Sequence, residues 1–195
     1  MYSRYLKKIL DFLLSLIGII VLSPILIIVS VVIKITSPGP VLFKQERVGK
    51  DNCCFKIYKF RTMRIDTPKD IPTHLLENPD QYITKIGELL RKTSLDELPQ
   101  LFNIVKGEMA IIGPRPSLPN QCDLNLLRDK NGASSVKPGL TGLAQISGRD
   151  ELEIEIKARL DGEYVKNISF LGDVKLFMKT ITSVLKSDGV KEGKT

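Results

Sequence analysis

Residues 12–33 read FLLSLIGIIVLSPILIIVSVVI, 22 consecutive positions without a charged side chain. A continuous helix of this length extends about 33 Å, roughly the thickness of the hydrocarbon core of a bilayer. The run is longer than the apolar region of a secretory signal peptide, and no small-x-small cleavage motif follows it. The stretch therefore predicts a retained membrane segment rather than a cleaved leader.

Pro24 lies near the middle of this run, where it lacks an amide proton and leaves the carbonyl four residues earlier without its helical partner. We expect a kink at Ser23-Pro24, with the Ser23 hydroxyl available to the freed backbone group. Basic residues flank the run on both sides: Arg4, Lys7, Lys8, Lys34, Lys44, Arg47 and Lys50. Because the positive-inside rule then gives no crossing direction, both flanks are expected to be cytoplasmic. A helix-break-helix that re-enters one leaflet and a kinked single span both remain open.

The composition of the whole chain limits its size and its partners. Its 195 residues, 43% of them hydrophobic, suffice for one compact domain. A net charge of +7 favours anionic partners, namely nucleic acid, an acidic membrane surface or a phosphorylated substrate. Only 6% of the residues are aromatic and no interleaved aromatic-basic motif is present, which argues against nucleic acid. The three cysteines form neither a disulfide framework nor a metal-ligand spacing, so we expect free thiols.

After the apolar run, the pattern indicates an α/β domain that is mainly helical with short strands. Two stretches rich in Val, Phe, Ile and Tyr flank residues 49–52 and predict a hairpin of strands. Residues 66–80 contain three prolines and predict a surface loop, in which His74 is expected to be solvated rather than a metal ligand. Apolar residues at helical spacing predict a helix over 81–92.

The C-terminal part of the chain carries two further helical patterns. The segment GRDELEIEIKARLDGEYVKN, 148–167, fits either a helix or a strand, and its acid-rich first turn favours the helix. From Phe170 to Leu185 apolar residues define an amphipathic helix that carries several lysines. We expect its apolar face to pack on the core and its lysines to face lipid headgroups; the alternative is a helix lying at the bilayer surface.

The stretch TSLDELPQL, 93–101, places two acids between leucines. One interpretation is structural: Ser94 and Glu97 form a capping box at the start of a helix, and Asp96 complements the helix dipole. The other is chemical: Asp96, kept ionised near Arg91, acts as a nucleophile toward a phosphate, and Glu97 handles a proton. Because a carboxylate and a diphosphate repel each other, that chemistry requires a bridging divalent cation, for which Mg²⁺ is the candidate.

Two loops point to the same class of ligand. IIGPRP, 111–116, holds Arg115 between prolines, a rigid presentation suited to a phosphate-bearing group. KPGLTGLAQISGR, 137–149, is rich in turn residues and contains the polar Gln145 and the cationic Arg149, while its glycines allow backbone amides to approach an anion. Neither a Walker A motif nor G-x-G-x-x-G is present.

In this order, the blocks SPGPVLFKQERVG, FKIYKFRTM, SLDELPQLFNIVKGEMAIIGPRP and PGLTGLAQISGR resemble the small monotopic phosphoglycosyl transferases of bacterial glycoconjugate assembly. The resemblance extends to about Gly189. It implies transfer of a sugar 1-phosphate from a UDP-sugar to polyprenyl phosphate, normally undecaprenyl phosphate, with release of UMP, at the cytoplasmic face of the bacterial cell membrane. It also implies a monotopic, re-entrant membrane helix broken at Ser23-Pro24.

The resemblance further implies roles for individual residues. Asp96 would attack the phosphorus attached to the sugar, and Glu97 would position or deprotonate the incoming polyprenyl phosphate. Mg²⁺ would bind Asp96 and the diphosphate. The positions that match the family's basic and acidic residues around the substrates are Lys59, Arg91, Arg115, Arg149 and Asp173. Nothing in these residues selects the sugar.

We therefore expect a membrane helix over 1–36, a catalytic domain over 37–189 and a tail over 190–195. The expected partners are a UDP-sugar, polyprenyl phosphate and anionic membrane lipid, with a homodimer as a further candidate assembly. The alternative functions are a non-catalytic membrane-anchored scaffold and, least favoured, a nucleic-acid-binding protein.

Overall fold

The computed structural model describes residues 2–67, 81–148 and 152–186. The predicted tail, His74, Arg149 and most of the predicted loop over 66–80 lie outside the described residues. A short π-helix, Tyr2–Leu6, leads into the first α-helix, and later elements are connected by 3₁₀ turns, among them Lys50–Asn52, Leu95–Glu97 and Ala133–Ser135. The elements in chain order are α1 Lys7–Thr36, β1 Leu42–Val48, β2 Cys54–Phe60, α2 Lys85–Lys92, α3 Gln100–Val105, β3 Ala110–Ile112, α4 Cys122–Asn131, β4 Gly139–Thr141, α5 Leu143–Ile146, α6 Ile154–Lys166 and α7 Phe170–Lys186.

Helix α1 accommodates its proline as the sequence predicts. The Ser23 hydroxyl donates to the carbonyl of Ile20 at 2.8 Å, and this is the carbonyl that Pro24 leaves without an amide partner. The helix nevertheless continues through Pro24 as one element and is not divided into two helices. With the π-helix before it, the stretch Tyr2–Thr36 is long and apolar enough to cross a membrane, by length and composition.

One face of α1 packs against the rest of the protein along nearly its whole length. The buried stripe consists of Lys7, Asp11, Ser15, Leu26, Val29 and Ile33. Near the end of the helix, Leu26, Val29 and Ile33 share a core cluster with Phe60 of β2 and Leu90 of α2. In the middle of the helix, Ile19 and Leu22 pack on a second cluster that contains Leu101 and Ile104 of α3. The opposite face of α1 is apolar and exposed, at residues such as Ile17, Ile20, Val21, Ile27, Ile28 and Ile35.

The described strands form two small sheets. Strands β1 and β2 pair antiparallel from Leu42↔Phe60 to Val48↔Cys54, which confirms the predicted hairpin. Its turn is closed by two residues in the left-handed region, Asp51 at φ 52° and Asn52 at φ 59°. Strands β3 and β4 pair in parallel, from Ala110↔Gly139 to Ile112↔Thr141. A Cβ at Gly139 would collide with the backbone of Gly113, so a glycine is required where these segments meet.

The helix predicted over 81–92 is shorter than expected at its start. Ile83 forms an isolated antiparallel bridge with Met63, so the backbone there is extended and α2 begins at Lys85. Thr84 caps the helix, since its hydroxyl accepts a hydrogen bond from the amide of Gly87 at 3.0 Å. The pairing with Met63 comes from a distant part of the chain, and the helical periodicity of residues 81–84 does not reveal it.

The two C-terminal helices form, but the expected burial of the second one is wrong. Helix α6 settles the choice between helix and strand in favour of the helix. Helix α7, however, exposes much of its apolar face, at Phe170, Leu171, Val174, Phe177, Met178 and Ile181. The rings of Tyr2 and Phe170 meet edge to face, with centroids 5.9 Å apart, so the starts of the N-terminal helix and of α7 adjoin. The protein thus carries two uncovered apolar helix faces.

Candidate active site

The two acids of TSLDELPQL lie in the 3₁₀ turn Leu95–Glu97, between α2 and α3. The predicted capping box is wrong. Ser94 adopts the left-handed conformation, with φ 55°, and its side chain makes no capping hydrogen bond. Helix α3 begins later, at Gln100, after Pro99. Glu97 is therefore free to use its carboxylate for contacts outside the helix.

The carboxylate of Glu97 binds two cations from distant segments. Its Oε1 atom accepts hydrogen bonds from Lys59 Nζ at 2.8 Å and from Arg115 Nη2 at 3.0 Å. Burial alone would raise the pKa of Glu97, but the charges of Arg115 and Lys59 outweigh it and hold the pKa well below its ordinary value. Lys59 and Arg115, which lie in separate sequence motifs, thus meet at the carboxylate of Glu97.

Asp96, the expected nucleophile, is buried, with 9% of its surface exposed. Burial raises the pKa of its carboxyl group to about 6, an effect that the negative charge of Glu97 reinforces. The positive charges of Lys59, Arg91 and Arg115 oppose this rise. Arg91 is oriented by Thr62, whose hydroxyl accepts a hydrogen bond from Arg91 Nε at 2.9 Å. Asp96 is thus a poorly hydrated carboxylate surrounded by positive charges, an environment that suits nucleophilic attack on an anionic phosphorus centre.

The donor set around Asp96 is compatible with the expected Mg²⁺. Among the described residues there is no group of three or more His, Cys, Asp or Glu side chains that could hold a metal by themselves. Protein-bound Mg²⁺ is commonly held by one or two carboxylates together with substrate phosphates and water. Asp96 supplies one such carboxylate, whereas Glu97 is already engaged by two cations. Of the two acids in this turn, Asp96 is therefore the one whose carboxylate would hold such an ion.

The loop that carries Arg115 is held by its backbone carbonyls. Arg128 Nη1 donates to the carbonyl of Arg115 at 2.9 Å. Arg47 Nη1 donates to the carbonyl of Pro116 at 3.2 Å, and the amide of Val48 donates to the carbonyl of Ser117 at 2.9 Å. No local pattern relates Arg47 or Arg128 to residues 115–117, so the sequence by itself does not identify either of them as part of the site.

Gln145 lies on α5, close to the ends of the parallel strands. Gln145 is 7% exposed, and neither its Nε2 nor its Oε1 atom has a hydrogen-bond partner among the residues that the structure describes. A Cβ at Gly142 would lie 2.9 Å from Gln145 Oε1 and would collide with the carbonyl of Gly113, so the amide group sits beside the start of the Arg115 loop. A buried amide without partners calls for a specific explanation, and a polar group of a ligand provides one.

Asp173, which the resemblance places near the substrates, has a set of partners of its own. Its Oδ2 atom accepts hydrogen bonds from Lys7 Nζ and from the Tyr2 hydroxyl, both at 2.7 Å. The Tyr164 hydroxyl lies 2.9 Å from Asp173 Oδ1 and 3.1 Å from the carbonyl of Ile112. These contacts join the N-terminal helix to α7, α6 and β3. They account for this buried carboxylate without a substrate.

A small open cleft lies between the Arg115 loop and the β1–β2 hairpin. Arg115, Ser117, Asn125 and Arg128 line it from one part of the chain, and Val48 and Gly49 line it from the hairpin. The Ser117 hydroxyl donates to Asn125 Oδ1 at 2.5 Å, so part of the polar lining is already paired within the protein.

Comparisons with known proteins agree with one another. Residues 2–187 match the family model described as bacterial sugar transferase. The chain is 36% identical to an undecaprenyl-phosphate galactose phosphotransferase of Salmonella typhimurium, over 96% of this chain and 42% of the relative. It is 38% identical to a UDP-glucose:undecaprenyl-phosphate glucose-1-phosphate transferase of Escherichia coli, over 92% of this chain and 40% of the relative.

A third relative is similar in length. The chain is 40% identical to the uncharacterized sugar transferase EpsL of Bacillus subtilis, over 96% of this chain and 91% of the relative. Against several longer relatives, in contrast, the chain spans only about two fifths of their length, between 40% and 45%. The similarity therefore covers nearly all of this chain but only one part of those proteins.

Proposed function

Since the chain belongs to the bacterial sugar transferase family, we propose that it transfers a sugar 1-phosphate from a UDP-sugar to undecaprenyl phosphate and releases UMP. The observation that carries the proposal is the buried Asp96 carboxylate, surrounded by the charges of Lys59, Arg91 and Arg115. The names of two relatives specify this type of transfer, one with galactose and one with glucose. The sugar used by this chain is left open.

In the first step, a carboxylate oxygen of Asp96 forms a bond to the phosphorus that carries the sugar. The bond from this phosphorus to the bridging oxygen breaks, and UMP leaves with that oxygen and its electron pair. Lys59, Arg91 and Arg115 stabilise the negative charge on the transferred group and on the departing phosphate. When bound, Mg²⁺ neutralises diphosphate charge next to Asp96.

In the second step, a phosphate oxygen of the lipid attacks the same phosphorus, and the bond to Asp96 breaks to regenerate the carboxylate. The depressed pKa of Glu97 makes it a weak base at neutral pH. Its two hydrogen bonds instead suit it to holding Lys59 and Arg115 in place. Of the two roles considered for Glu97, we therefore favour positioning over deprotonation.

We further propose that the protein is monotopic and sits on the cytoplasmic face of the membrane. A single helix that crosses a bilayer is surrounded by lipid over about 30 Å of its length, so this part of the helix cannot pack against a soluble domain. The buried stripe of α1, from Lys7 to Ile33, instead stays against the domain. The exposed apolar faces of α1 and α7 support insertion into one leaflet, because large uncovered apolar surfaces are rare on soluble monomers. The re-entrant topology that the resemblance implies requires in addition that the chain reverse its direction at Ser23-Pro24, whereas α1 continues through Pro24 as one helix.

A single-turnover experiment tests the proposed reaction. With a panel of UDP-sugars, Mg²⁺ and no lipid, we expect a burst of UMP of about one equivalent per enzyme and an enzyme heavier by one sugar phosphate in intact-mass spectra. Adding undecaprenyl phosphate is expected to start continuous UMP release. If UMP appeared only when both substrates were present, direct transfer would replace the covalent scheme. Failure of every UDP-sugar, with lipid present, would favour the non-catalytic scaffold.

Gln145→Leu separates a ligand-binding role from a structural one. Because the amide has no hydrogen-bond partner within the described part of the chain, its loss is expected to leave the free energy of unfolding unchanged or to raise it by about 1 kcal/mol. The kcat/KM for the UDP-sugar is expected to fall by about 10- to 100-fold, from the loss of one or two hydrogen bonds to the substrate. Chemical denaturation and steady-state kinetics measure the two quantities.

Gln121→Leu is the matched control for this substitution. The Oε1 atom of Gln121 accepts a hydrogen bond from the amide of Leu118 at 2.9 Å, so its amide group is used within the protein. We expect this variant to lose about 1 kcal/mol of stability and to retain its kcat/KM. A Gln145→Leu variant with the control's pattern, less stable but fully active, would show that Gln145 does not contact a substrate.

A further inference from the structure

We infer that Arg128, bound to Asp161, is a positioning residue that sets the location of Arg115. Arg128 lies on α4 and Asp161 on α6, and both side chains are buried, with 9% and 1% of their surfaces exposed. Two nitrogens of the guanidinium, Nε and Nη2, donate to Asp161 Oδ2 at 2.9 and 2.6 Å. The third, Nη1, donates to the carbonyl of Arg115 at 2.9 Å.

The chemistry of this group suits positioning better than simple stabilisation. A buried ion pair gives little net stability compared with apolar residues of similar size, because both charges lose their hydration. Lysine could replace the charge of Arg128 but not its planar set of donors, which here reaches a carboxylate and a carbonyl at once. The guanidinium therefore links the α4–α6 packing to one atom of the Arg115 backbone.

The link matters because the Arg115 side chain reaches the Glu97 carboxylate, 3.0 Å away, from this backbone. That side chain is 39% exposed, so close packing does not hold it in one rotamer. The backbone of this loop is held by hydrogen bonds to the carbonyls of residues 114–117; the one from Gly139 is at Pro114, and the one from Arg128 is at Arg115 itself. Arg128 also forms part of the wall of the neighbouring cleft, so its loss would leave space into which the loop can move.

A double-mutant cycle tests the inference; its activity arm rests on the proposed function. Arg128→Lys keeps a charge opposite Asp161 but loses the three-pronged donor set. In the parent protein we expect it to lower kcat/KM for the UDP-sugar by about 30-fold. In an Arg115→Ala background, the same change is expected to lower kcat/KM by less than about threefold, because no guanidinium remains to be positioned.

Two additions keep the result interpretable. Affinity for UDP, measured by titration calorimetry, needs no transfer and is expected to fall by about tenfold with Arg128→Lys only when Arg115 is present. Absence of UMP release would then count against the proposed function, whereas the calorimetric cycle still tests the positioning. The double variant Arg128→Met with Asp161→Leu removes both buried charges and is expected to fold. Its UDP affinity is expected to fall only when Arg115 is present, as with Arg128→Lys.

Arg64→Lys serves as the control. Arg64 pairs with Asp66 at the surface, with side chains 61% and 58% exposed, and we expect neither affinity nor kcat/KM to change in either background. If Arg128→Lys lowered kcat/KM and UDP affinity equally in the parent and in the Arg115→Ala background, the inference would be overturned and Arg128 would have a structural role. Unchanged UDP affinity in the parent would overturn it as well.

Discussion

Asp96→Asn is expected to lower UMP release by about a thousandfold or more and to eliminate the covalent sugar phosphate adduct. The amide keeps the size and much of the polarity of the carboxylate but has no anionic oxygen with which to attack phosphorus. It is also a much poorer ligand for Mg²⁺, which prefers carboxylate oxygen. Stopped assays of UMP in the absence of lipid, together with intact-mass spectra, measure both effects in the same sample.

The same substitution is expected to stabilise the protein at neutral pH. The pKa of Asp96 is raised from its ordinary value of 3.8 to about 6, so between these values the folded state binds more protons than the unfolded state. The contribution of Asp96 to the free energy of unfolding therefore falls as pH rises through this window. At pH 8 the Asn variant is expected to gain up to about 3 kcal/mol, and the gain is expected to shrink toward pH 4.

Denaturation curves at pH 8 and near pH 4.5 measure this difference and also show that lost activity is not caused by unfolding. Asp66→Asn is the matched control, because Asp66 pairs with Arg64 at the surface, and we expect its effect on stability to stay within about 0.5 kcal/mol at both pH values. Undiminished UMP release by Asp96→Asn would exclude Asp96 as the nucleophile. A less stable Asn variant at pH 8 would contradict the raised pKa.

Lys7→Met is expected to lower the free energy of unfolding by about 3 kcal/mol. Lys7 and Asp173 form a buried ion pair at 2.7 Å, with side chains 11% and 8% exposed. Methionine preserves most of the apolar stem of lysine but leaves the Asp173 carboxylate buried with the neutral hydroxyl donors Tyr2 and Tyr164, and it also removes the cation 3.6 Å from the buried Asp11 carboxylate. Since Lys7 lies at the start of α1, the variant also weakens the attachment of that helix to α7.

Lys92→Met is the control for the loss of a lysine. Lys92 pairs with Glu88 on the exposed surface of α2 at 2.7 Å, and its removal is expected to change stability by no more than about 0.5 kcal/mol. Adding Asp173→Leu to Lys7→Met removes one of the two buried carboxylates that lose Lys7, and is expected to restore part of the lost stability; the other carboxylate, Asp11, keeps its hydrogen bond from the amide of Ile111. If Lys7→Met matched the control, the buried pair would not hold α1 to the domain.

Patterns within the sequence were sufficient where neighbouring residues decide the structure. The turn at residues 49–52 between two β-rich stretches predicted the β1–β2 hairpin, because turn chemistry and strand propensity are local. The Ser23-Pro24 pair predicted the hydrogen bond from the Ser23 hydroxyl to the freed carbonyl of Ile20, because the two groups lie within one helical turn. That Asp96 and Glu97 lie next to each other at one site follows from their adjacency, although they lie in a 3₁₀ turn and not in the predicted helix start.

Local patterns failed where a distant segment competes for the same groups. The S-x-x-E spacing predicted a capping box, but Glu97 binds Lys59 and Arg115, and Ser94 is left-handed instead. The periodicity of α7 identified a helix with an apolar face, but periodicity alone does not say whether protein or lipid covers that face. In the structure much of it remains exposed.

The sequence by itself determined the membrane-compatible helix, the hairpin, the acid pair and the set of basic residues suited to a phosphate, because each depends on composition or on contacts within a few positions. Only the tertiary structure decided which of these groups meet. Lys59 and Arg115 reach Glu97 from 38 and 18 positions away, and Lys7 reaches Asp173 from 166 positions away. Such pairs follow from the packing of whole helices and sheets, whose free energy is summed over many contacts and leaves no periodic trace in the chain.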